Sequence, residues 1–171
     1  MGYIMASALS SGLISGIWTG IANYLSIFLP ELFSSWIGFV GITSYFVAGG
    51  TKNGFIRSLS SNIVGVLIGC TIIAISSLSE SIVFGAAVTG AFTWLICYLA
   101  RIDLTKFATC TFMGGYSAFA TGGNWKLLII CLVCGNIVGR LCTLFGDFLY
   151  SKFKKKDGSE NEEAVLLKFL D

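Results

Sequence analysis

The sequence contains no histidine, and charged residues make up only 12% of its 171 residues. Histidine is the commonest general base and a preferred zinc ligand near neutral pH. The chain also shows no nucleophile paired with a base, no phosphate-binding loop and no set of metal ligands. We therefore expect a protein that is not an enzyme and that uses neither a metal nor another cofactor.

Basic residues are also absent from the first eight positions. A cleaved signal peptide begins with a positively charged region, so the first apolar segment is predicted to be a retained membrane span. Apolar residues make up 55% of the chain. Runs of about 20 of them, enough to cross a bilayer, follow one another. The composition predicts an integral membrane protein in contact with lipid, with no nucleic-acid partner.

Six cysteines lie in or beside the apolar segments. Cys131 and Cys134 have the spacing of a redox or metal-binding pair, but the chain has no histidine and no second pair of this kind. In an apolar segment, a cysteine is usually a small packing residue. We therefore predict packing roles and no metal site.

A glycine- and phenylalanine-rich stretch occurs twice, as FVGITSYFVAGG (39–50) and FMGGYSAFATGG (112–123). Upstream, Gly16 and Thr19 correspond to Gly90 and Thr93; downstream, NIVG at 62–65 recurs at 136–139. The three blocks recur in the same order at shifts of 74, 73 and 74 residues. This pattern indicates an internal duplication with repeats 1–77 and 78–150, followed by a charged tail, 151–171.

Each repeat holds three apolar segments, and the second and fifth segments of the chain are short. The predicted spans are 9–28, 36–48, 55–76, 82–100, 107–120 and 126–149. Because three is an odd number, the second copy must cross the membrane in the opposite direction to the first. The predicted fold is therefore all-α, with six segments in a 3+3 inverted repeat about an axis in the membrane plane.

The distribution of basic residues predicts the orientation of these six spans. With a cytoplasmic amino terminus, only Lys126 falls in an external loop. Eight basic residues then lie on the cytoplasmic side: Lys52, Arg57, Arg101, Lys106, Lys152, Lys154, Lys155 and Lys156. The positive-inside rule therefore places both termini in the cytoplasm. For the last eight residues, an amphipathic helix on the membrane and a disordered end remain open alternatives.

The two short segments both stop at a glycine pair, Gly49–Gly50 and Gly122–Gly123. Short, glycine-interrupted segments at matching places of two inverted repeats are typical of transporter binding sites. We therefore expect broken or re-entrant elements that meet in the protein interior. The alternative is that both are ordinary tilted spans whose glycine pairs form loops.

Polar and aromatic residues of the two copies form the predicted pore lining. Hydroxyl and amide groups replace part of a solute's hydration shell, and aromatic rings narrow a bore. For the two asparagines, an interhelical hydrogen bond is the alternative. The predicted lining residues are Phe39, Thr43, Ser44, Tyr45, Phe46, Asn62, Phe112, Tyr116, Ser117, Phe119, Thr121 and Asn136.

Arg140 is the only charged residue well inside a predicted span, and it shares a helix face with Asn136 and Asp147. An intramembrane charge marks a functional site by default. Alternatively, Arg140 reaches the cytoplasmic interface or pairs with Asp147. No carboxylate lies near the middle of any span, which argues against a proton-coupled mechanism.

The stretch F-x-G-x-x-S-Y-F-x-x-G-G-T-K-x-G at 39–54 resembles the signature of the YcdZ-like family, small bacterial inner-membrane proteins with a domain of unknown function. The resemblance extends over about residues 9–150. It implies a polytopic protein of the bacterial inner membrane. The family supplies no settled activity, so no site residue is transferred from it.

These observations favour a channel-like facilitator for a small uncharged polar solute of the size of urea or a short amide. A small-anion channel that uses Arg140 is one alternative, and a structural or regulatory membrane protein without a permeant is another. The GxxxGxxxG ridge of Gly12, Gly16 and Gly20 predicts close helix packing and a homo-oligomer.

Overall fold

A computed structural model describes residues 1–153, and the described part of the chain is entirely helical. It forms six α-helices: α1 (Tyr3–Phe28), α2 (Ser35–Val47), α3 (Lys52–Ser76), α4 (Ile82–Leu99), α5 (Ala108–Ala120) and α6 (Trp125–Phe153). One 3-10 turn, Asp103–Thr105, precedes α5. The predicted all-α fold with six helical segments is confirmed. The alternatives for the last eight residues, and lysines 154–156, lie outside the described residues.

Four helices, α1, α3, α4 and α6, are long and apolar enough to cross a membrane. In contrast, α2 and α5 have 13 residues each. Such a helix is about 20 Å long, whereas the hydrocarbon core of a bilayer is about 30 Å thick. The prediction that the second and fifth segments are short is therefore confirmed.

Both short helices end in the same backbone motif. The N–H of Gly50 donates to the carbonyl of Tyr45 at 3.1 Å, and the N–H of Gly123 donates to that of Ala118 at 2.9 Å. These six-to-one hydrogen bonds close the last turn and need residues in the left-handed region. The glycine pairs supply them, with φ of 89° and 64° in the first copy and 60° and 85° in the second.

The chain starts a new helix directly after each glycine pair. The Thr51 hydroxyl accepts a hydrogen bond from the N–H of Gly54 at 3.0 Å, and the Asn124 side chain accepts one from Leu127 at 3.3 Å. These are helix-starting caps. α2 and α5 are continuous helices, and each glycine pair is the turn between a short helix and the long helix that follows it. That the short helices are re-entrant elements stays a prediction.

The short helix α2 packs along α6 through glycines. A methyl group on Gly135 would overlap the carbonyl oxygen of Gly38, and one on Gly139 would meet the ring of Tyr45. Farther on, Gly50 faces Thr143, whose hydroxyl oxygen lies 3.8 Å from the position of a β-carbon. Residue numbers rise together along this contact, so α2 and α6 run parallel.

The other short helix, α5, packs along α3 in the same manner. A methyl group on Gly65 would overlap the carbonyl oxygen of Thr111, and one on Gly69 would meet Ala118. At the end of the contact, Gly123 faces the side chain of Ile73. Residue numbers rise together here too. Each short helix therefore runs parallel to the third helix of the other half.

The first helices of the two halves, α1 and α4, lie on the outside of this four-helix centre. The Ser10 hydroxyl of α1 donates to the carbonyl of Cys142 at 2.6 Å, and the Trp18 indole donates to that of Ser35 at 3.1 Å. On α4, only Ile96 is buried, against Ile68 and Ile72 of α3. Most of the surface of α4 is open in the single chain.

The charged residues divide the two ends of the bundle. The end that carries Met1 and Phe153 also carries Lys52, Arg57, Arg101, Asp103, Lys106, Asp147 and Lys152, and we call it the basic end. There, the amino group of Met1 donates to the carbonyl of Phe153 at 2.9 Å. At the opposite end, the Asn124 side chain donates to Glu31 at 3.2 Å.

Candidate functional site

A group of fully buried polar side chains lies where α2, α3 and α6 meet, and we call it the polar seam. The Ser44 hydroxyl donates to Oδ1 of Asn62 at 2.9 Å. The Ser58 hydroxyl donates to Oδ1 of Asn136 at 2.5 Å. The members of the seam are Ser44, Ser58, Ser61, Asn62 and Asn136, each with no exposed surface. Three predicted lining residues are thus brought together, Ser44 and Asn62 of the first repeat and Asn136 of the second.

Two polar groups of the seam have no protein partner. They are the hydroxyl of Ser61 and the side-chain nitrogen of Asn62, and neither reaches a hydrogen-bond acceptor or donor in the described chain. The corresponding nitrogen of Asn136 donates to the carbonyl of Leu132 at 2.9 Å. A buried polar group without a partner costs about 1–3 kcal/mol. The Ser61 hydroxyl and the Asn62 side-chain nitrogen are therefore the two groups of the seam that remain open to a hydrogen bond.

Ser117 is buried but lies apart from the hydrogen bonds of the seam. Its hydroxyl donates to the carbonyl of Met113 in its own helix at 2.7 Å, and Thr121 in turn donates to the carbonyl of Ser117 at 3.0 Å. The connection between α5 and Ser44 is made by sulfur: Sδ of Met113 lies 3.2 Å from the Ser44 hydroxyl oxygen, and Cys110 donates to the carbonyl of Ser44 at 3.5 Å.

The aromatic residues predicted to narrow a bore lie on the outside of the chain. Phe39, Phe46, Phe112 and Phe119 are 42%, 43%, 38% and 48% exposed. Thr43 and Tyr116 lie on the same outward faces. Tyr45 points inward, and its hydroxyl donates to the carbonyl of Gly50.

Within the described single chain these rings form no enclosed constriction, and the predicted pore lining, whether within one chain or between chains, stays a prediction. Glycine and serine occupy the inner faces of α2 and α5, because the backbones of α6 and α3 approach too closely for larger side chains. The rings at the neighbouring helix positions are then turned outward. The outward rings form two aromatic stripes, Phe39 and Phe46 on α2 and Phe112 and Phe119 on α5. These stripes can narrow a pore only where a second chain faces them.

A recess of about 480 Å³ opens at the basic end, next to the Gly49–Gly50 turn. It exists because α2 stops at Val47, while α1 and α6 continue past it. From Thr143 to its last residue, α6 runs ten more residues, which is about 15 Å of helix. The recess is lined by Tyr3, Ser7, Ser11, Phe46, Gly49, Gly50, Thr51, Cys142 and Thr143.

The hydroxyl residues of α1 were not predicted as site residues. Ser7 and Ser11 line the recess, and Ser15, Thr19 and Asn23 continue the same line toward the opposite end. Each position is four residues from the next, so neighbouring positions lie side by side on α1, and the row winds around the helix by about 40° at each step. That spacing is visible in the sequence and was the available signal. The Thr19 hydroxyl donates to the carbonyl of Ser15 at 2.9 Å, which satisfies it within the helix.

Arg140 and Asp147 do not form an ion pair with each other. The Asp147 carboxylate accepts a hydrogen bond from the Tyr3 hydroxyl at 3.4 Å. Within residues 1–153, Arg140 makes no ion pair. It lines a second cavity, of about 440 Å³, together with Lys52, Phe55, Ile56, Ile137 and Leu141. Arg140 is therefore separate from the polar seam, although Asn136 lies one turn earlier on α6.

The cysteine pair of α6 is divided between two contacts. Cys131 belongs to the core around Ile37 and Leu128, and its sulfur accepts a hydrogen bond from the N–H of Ser34 at 3.2 Å. Cys134 packs against the cluster around Trp18. Within the described chain, no three potential ligand residues are close enough to hold a metal ion.

Residues 8–147 match the model of a family described as "Protein of unknown function (DUF1097)". The chain belongs to this family. It is 33% identical over 165 residues to "Inner membrane protein YcdZ" of Escherichia coli (strain K12), which covers 95% of this chain and 97% of that protein. It is 30% identical over 164 residues to "Uncharacterized protein YahC" of the same strain, with 92% and 99% covered.

A third relative has the same name as the first. The chain is 32% identical over 155 residues to "Inner membrane protein YcdZ" of Salmonella typhimurium (strain LT2), with 89% of this chain and 92% of that protein covered. No solved structure matches the chain. The YcdZ-like resemblance is confirmed. Together with the four apolar helices, these relatives identify a multi-pass protein of the inner membrane.

Proposed function

We propose that the protein is a channel-like facilitator that lets a small uncharged polar solute, of the size of urea or a short amide, cross the inner membrane. The unpaired Ser61 hydroxyl and Asn62 amide nitrogen carry this proposal. Both are buried in the helical centre of a membrane protein, where a group without a partner is costly. A solute that presents an acceptor to Asn62 and a donor or acceptor to Ser61 satisfies both.

The recess at the basic end provides the entrance. The hydroxyl groups in its wall offer hydrogen bonds to an uncharged solute, and Phe46 is also part of the lining. Ser44, the member of the seam on α2, is two residues before Phe46 and faces inward, whereas Phe46 faces outward. The hydrogen bonds Ser44–Asn62 and Ser58–Asn136 close the way beyond this point. Passage therefore requires the solute to exchange its own hydrogen bonds with these pairs.

The proposed architecture is a 3+3 inverted repeat of residues 1–77 and 78–150. It is supported by the two parallel contacts, α2 with α6 and α5 with α3. Since α2 leads into α3 through a tight turn, α2 and α3 run in opposite directions. With α5 parallel to α3, α2 and α5 are antiparallel, as an in-plane axis requires. By the positive-inside rule, we propose that the basic end, which carries Met1 and Phe153, faces the cytoplasm.

We propose that the protein works as a homo-oligomer. The ridge of Gly12, Gly16 and Gly20 has open space above all three glycines. The aromatic stripes of α2 and α5 are likewise exposed in the single chain. A second copy packed on the ridge would bring aromatic side chains opposite the hydroxyl line of α1. Subunit number is to be measured on protein in lipid nanodiscs by mass photometry.

A non-transporting structural protein is the second candidate, and the direct Ser44–Asn62 and Ser58–Asn136 hydrogen bonds favour it. Such pairs stabilise helix association by about 1 kcal/mol each. They leave Ser61 and Asn62 with unpaired groups, which a purely structural seam has no reason to retain. The two candidates differ in a measurable quantity, the solute permeability.

The test is stopped-flow swelling of proteoliposomes with glycerol, urea, formamide and acetamide, with nitrate and formate as anions. We expect swelling with at least one neutral solute to be several-fold faster than in protein-free liposomes. Asn62→Leu should remove most of this increase. The matched control is Thr71→Val, because Thr71 is exposed on the same helix and its hydroxyl donates to the carbonyl of Leu67 at 2.8 Å. Correctly assembled protein that accelerates none of the solutes would establish the structural candidate instead.

A further inference from the structure

We propose that the cavity of Lys52 and Arg140, which we call the basic groove, is a binding site for one anionic phospholipid. The lipid phosphate lies between the two cations, and an acyl chain follows the apolar wall. This inference does not depend on the proposed transport function. It concerns a part of the surface that the polar seam and the recess do not use.

The groove combines two properties that a lipid requires. Two cationic side chains are present, Lys52 at the start of α3 and Arg140 on α6. The other lining residues are Phe55, Ile56, Ile137 and Leu141, all apolar. Ile56, Ile137 and Leu141 are 56%, 45% and 47% exposed, so the apolar wall opens toward the surrounding membrane.

Within residues 1–153, Lys52, Lys106 and Arg140 make no ion pair and no cation–π contact, in contrast to Arg57, Arg101 and Lys152. Arg57 forms an ion pair with Asp103 at 2.7 Å. Arg101 lies over the ring of Tyr98 at 5.2 Å, and Lys152 lies over that of Phe148 at 5.7 Å. No carboxylate of the described chain pairs with the cations of the groove. Two cations at one cavity without a counter-ion repel each other unless an anion binds between them.

The shape and lining favour a lipid phosphate over a free phosphate ion. A free ion gains nothing from the apolar wall and loses hydration there. A phospholipid keeps its phosphate at the interface and its acyl chain on the wall, and basic sites between spans at the cytoplasmic side bind such headgroups. The first N–H groups of α3 add positive potential near Lys52. One lipid of the leaflet at the basic end is therefore expected per chain.

The other half of the molecule lacks an equivalent arginine. In the sequence repeat, Lys126 corresponds to Lys52, but Val66 corresponds to Arg140. Val66 is fully buried, whereas Arg140 reaches the groove. A duplicated packing residue would be expected in both copies. The single arginine instead indicates a role specific to one leaflet.

The experiment is native mass spectrometry of the delipidated full-length protein in neutral detergent. It is titrated with phosphatidylglycerol and, separately, with phosphatidylcholine of the same acyl chains. We expect one phosphatidylglycerol per chain, bound at least tenfold more tightly than phosphatidylcholine. The double variant Lys52→Gln/Arg140→Gln should lower this affinity at least tenfold. The matched control, Arg101→Gln/Lys152→Gln, removes two positive charges from the same end and should bind like the parent.

Three results would overturn the proposal. The first is unchanged phosphatidylglycerol binding in Lys52→Gln/Arg140→Gln. The second is an equal loss in the control pair, which would mean general charge attraction. The third is displacement of the lipid by equimolar inorganic phosphate, which would identify a free-anion site. If the double variant does not assemble, Arg140→Lys should retain binding while Arg140→Gln loses it, and equal binding by these two would also reject the site.

Discussion

The two contacts between a short and a long helix are built from the same parts but are shifted relative to each other. The carbonyl of Thr111 faces Gly65, and the carbonyl of Gly38 faces Gly135. The facing residues of the two short helices, Gly38 and Thr111, are 73 positions apart in the sequence. The facing residues of the two long helices, Gly65 and Gly135, are 70 positions apart. The sequence repeat aligns the long helices at 74. Compared with the sequence repeat, one short helix is therefore shifted by about one helical turn along the long helix that it contacts.

This difference shows how duplicated sequences acquire separate roles. Small residues recur every fourth position on both long helices, as in Gly65 and Gly69 or Gly135 and Gly139, so a shift of one turn again places small residues against the short helix. The asparagines of the two NIVG blocks then meet different partners. Asn62 keeps an unpaired amide nitrogen, whereas both groups of Asn136 are bonded. Identical residues thus have different environments.

The largest expected effect breaks either contact at its closest point. In Gly65→Ala or Gly135→Ala, the new methyl group overlaps a backbone carbonyl, which must move. We expect a loss of about 1–3 kcal/mol in the free energy of unfolding for each, since overpacked sites cost this amount. Gly90→Ala is the control, because nothing lies within 4 Å of its β-carbon position and it is not part of the glycine ridge of α1. Denaturation in SDS followed by circular dichroism measures the difference. Equal stability of the three variants would contradict the glycine contacts.

The glycine turns provide a test in which the order of effects reverses between the halves. Asparagine tolerates φ near 57° but not the wider angles. Gly50 and Gly122 have φ of 64° and 60°, while Gly49 and Gly123 have 89° and 85°. We therefore expect Gly50→Asn and Gly122→Asn to be tolerated better than Gly49→Asn and Gly123→Asn, by about 1 kcal/mol. Thermal unfolding in detergent measures this. The same order of positions in both halves would contradict the turn geometry.

The two asparagines should differ in what their replacement changes. Asn136→Leu removes two hydrogen bonds and should lower the unfolding free energy by about 1 kcal/mol. Asn62→Leu removes one hydrogen bond and also an unpaired donor, so its stability should stay closer to that of the parent. Its effect should appear in solute permeability instead. Both quantities are to be measured on the same preparations, and a larger stability loss at Asn62 would reverse the assignment.

The smallest expected effect concerns the ion pair that joins α3 of the first half to the 3-10 turn of the second. The side chains of Arg57 and Asp103 are 30% and 69% exposed. Exposed pairs contribute less than about 1 kcal/mol. Asp103→Asn should therefore lower the melting temperature slightly at low ionic strength and not at all in about 1 M salt, where the Debye length is about 3 Å. A decrease that persists in high salt would indicate another role for Asp103.

The positions of the helices followed from the sequence more closely than their orientation. The duplicated glycine pairs located both inner turns, because only glycine readily adopts positive φ. The first helix begins at Tyr3 and not at residue 9, since its polar serines and weakly apolar residues extend a helix that hydropathy alone truncates. Charges and glycine pairs are local signals, and they were sufficient for the helix count and the turns.

The hydropathy of the sequence does not show which side of α2 and α5 points into the protein. In a membrane both faces of a helix are apolar, so phenylalanine is as suited to lipid as to a pore wall. The glycines of α2 and α5 pack closely against the long helices, and this packing leaves Phe46 and Phe119 facing outward. The recess was also unpredictable, because it depends on where three different helices end. The unpaired amide of Asn62 depends on the one-turn shift, which sequence alignment of the repeats does not contain.

The hydrogen bond between the amino group of Met1 and the carbonyl of Phe153 has a consequence for the order of the chain. Because the first helix begins beside the end of the last, we expect that a chain cut in the loop between Ser76 and Ile82 and joined from its last residue to Met1 retains the helix contacts described above. In such a circular permutant the second repeat precedes the first in the sequence, while both keep their positions in the bundle. The packing of the helices therefore does not depend on which repeat comes first in the chain.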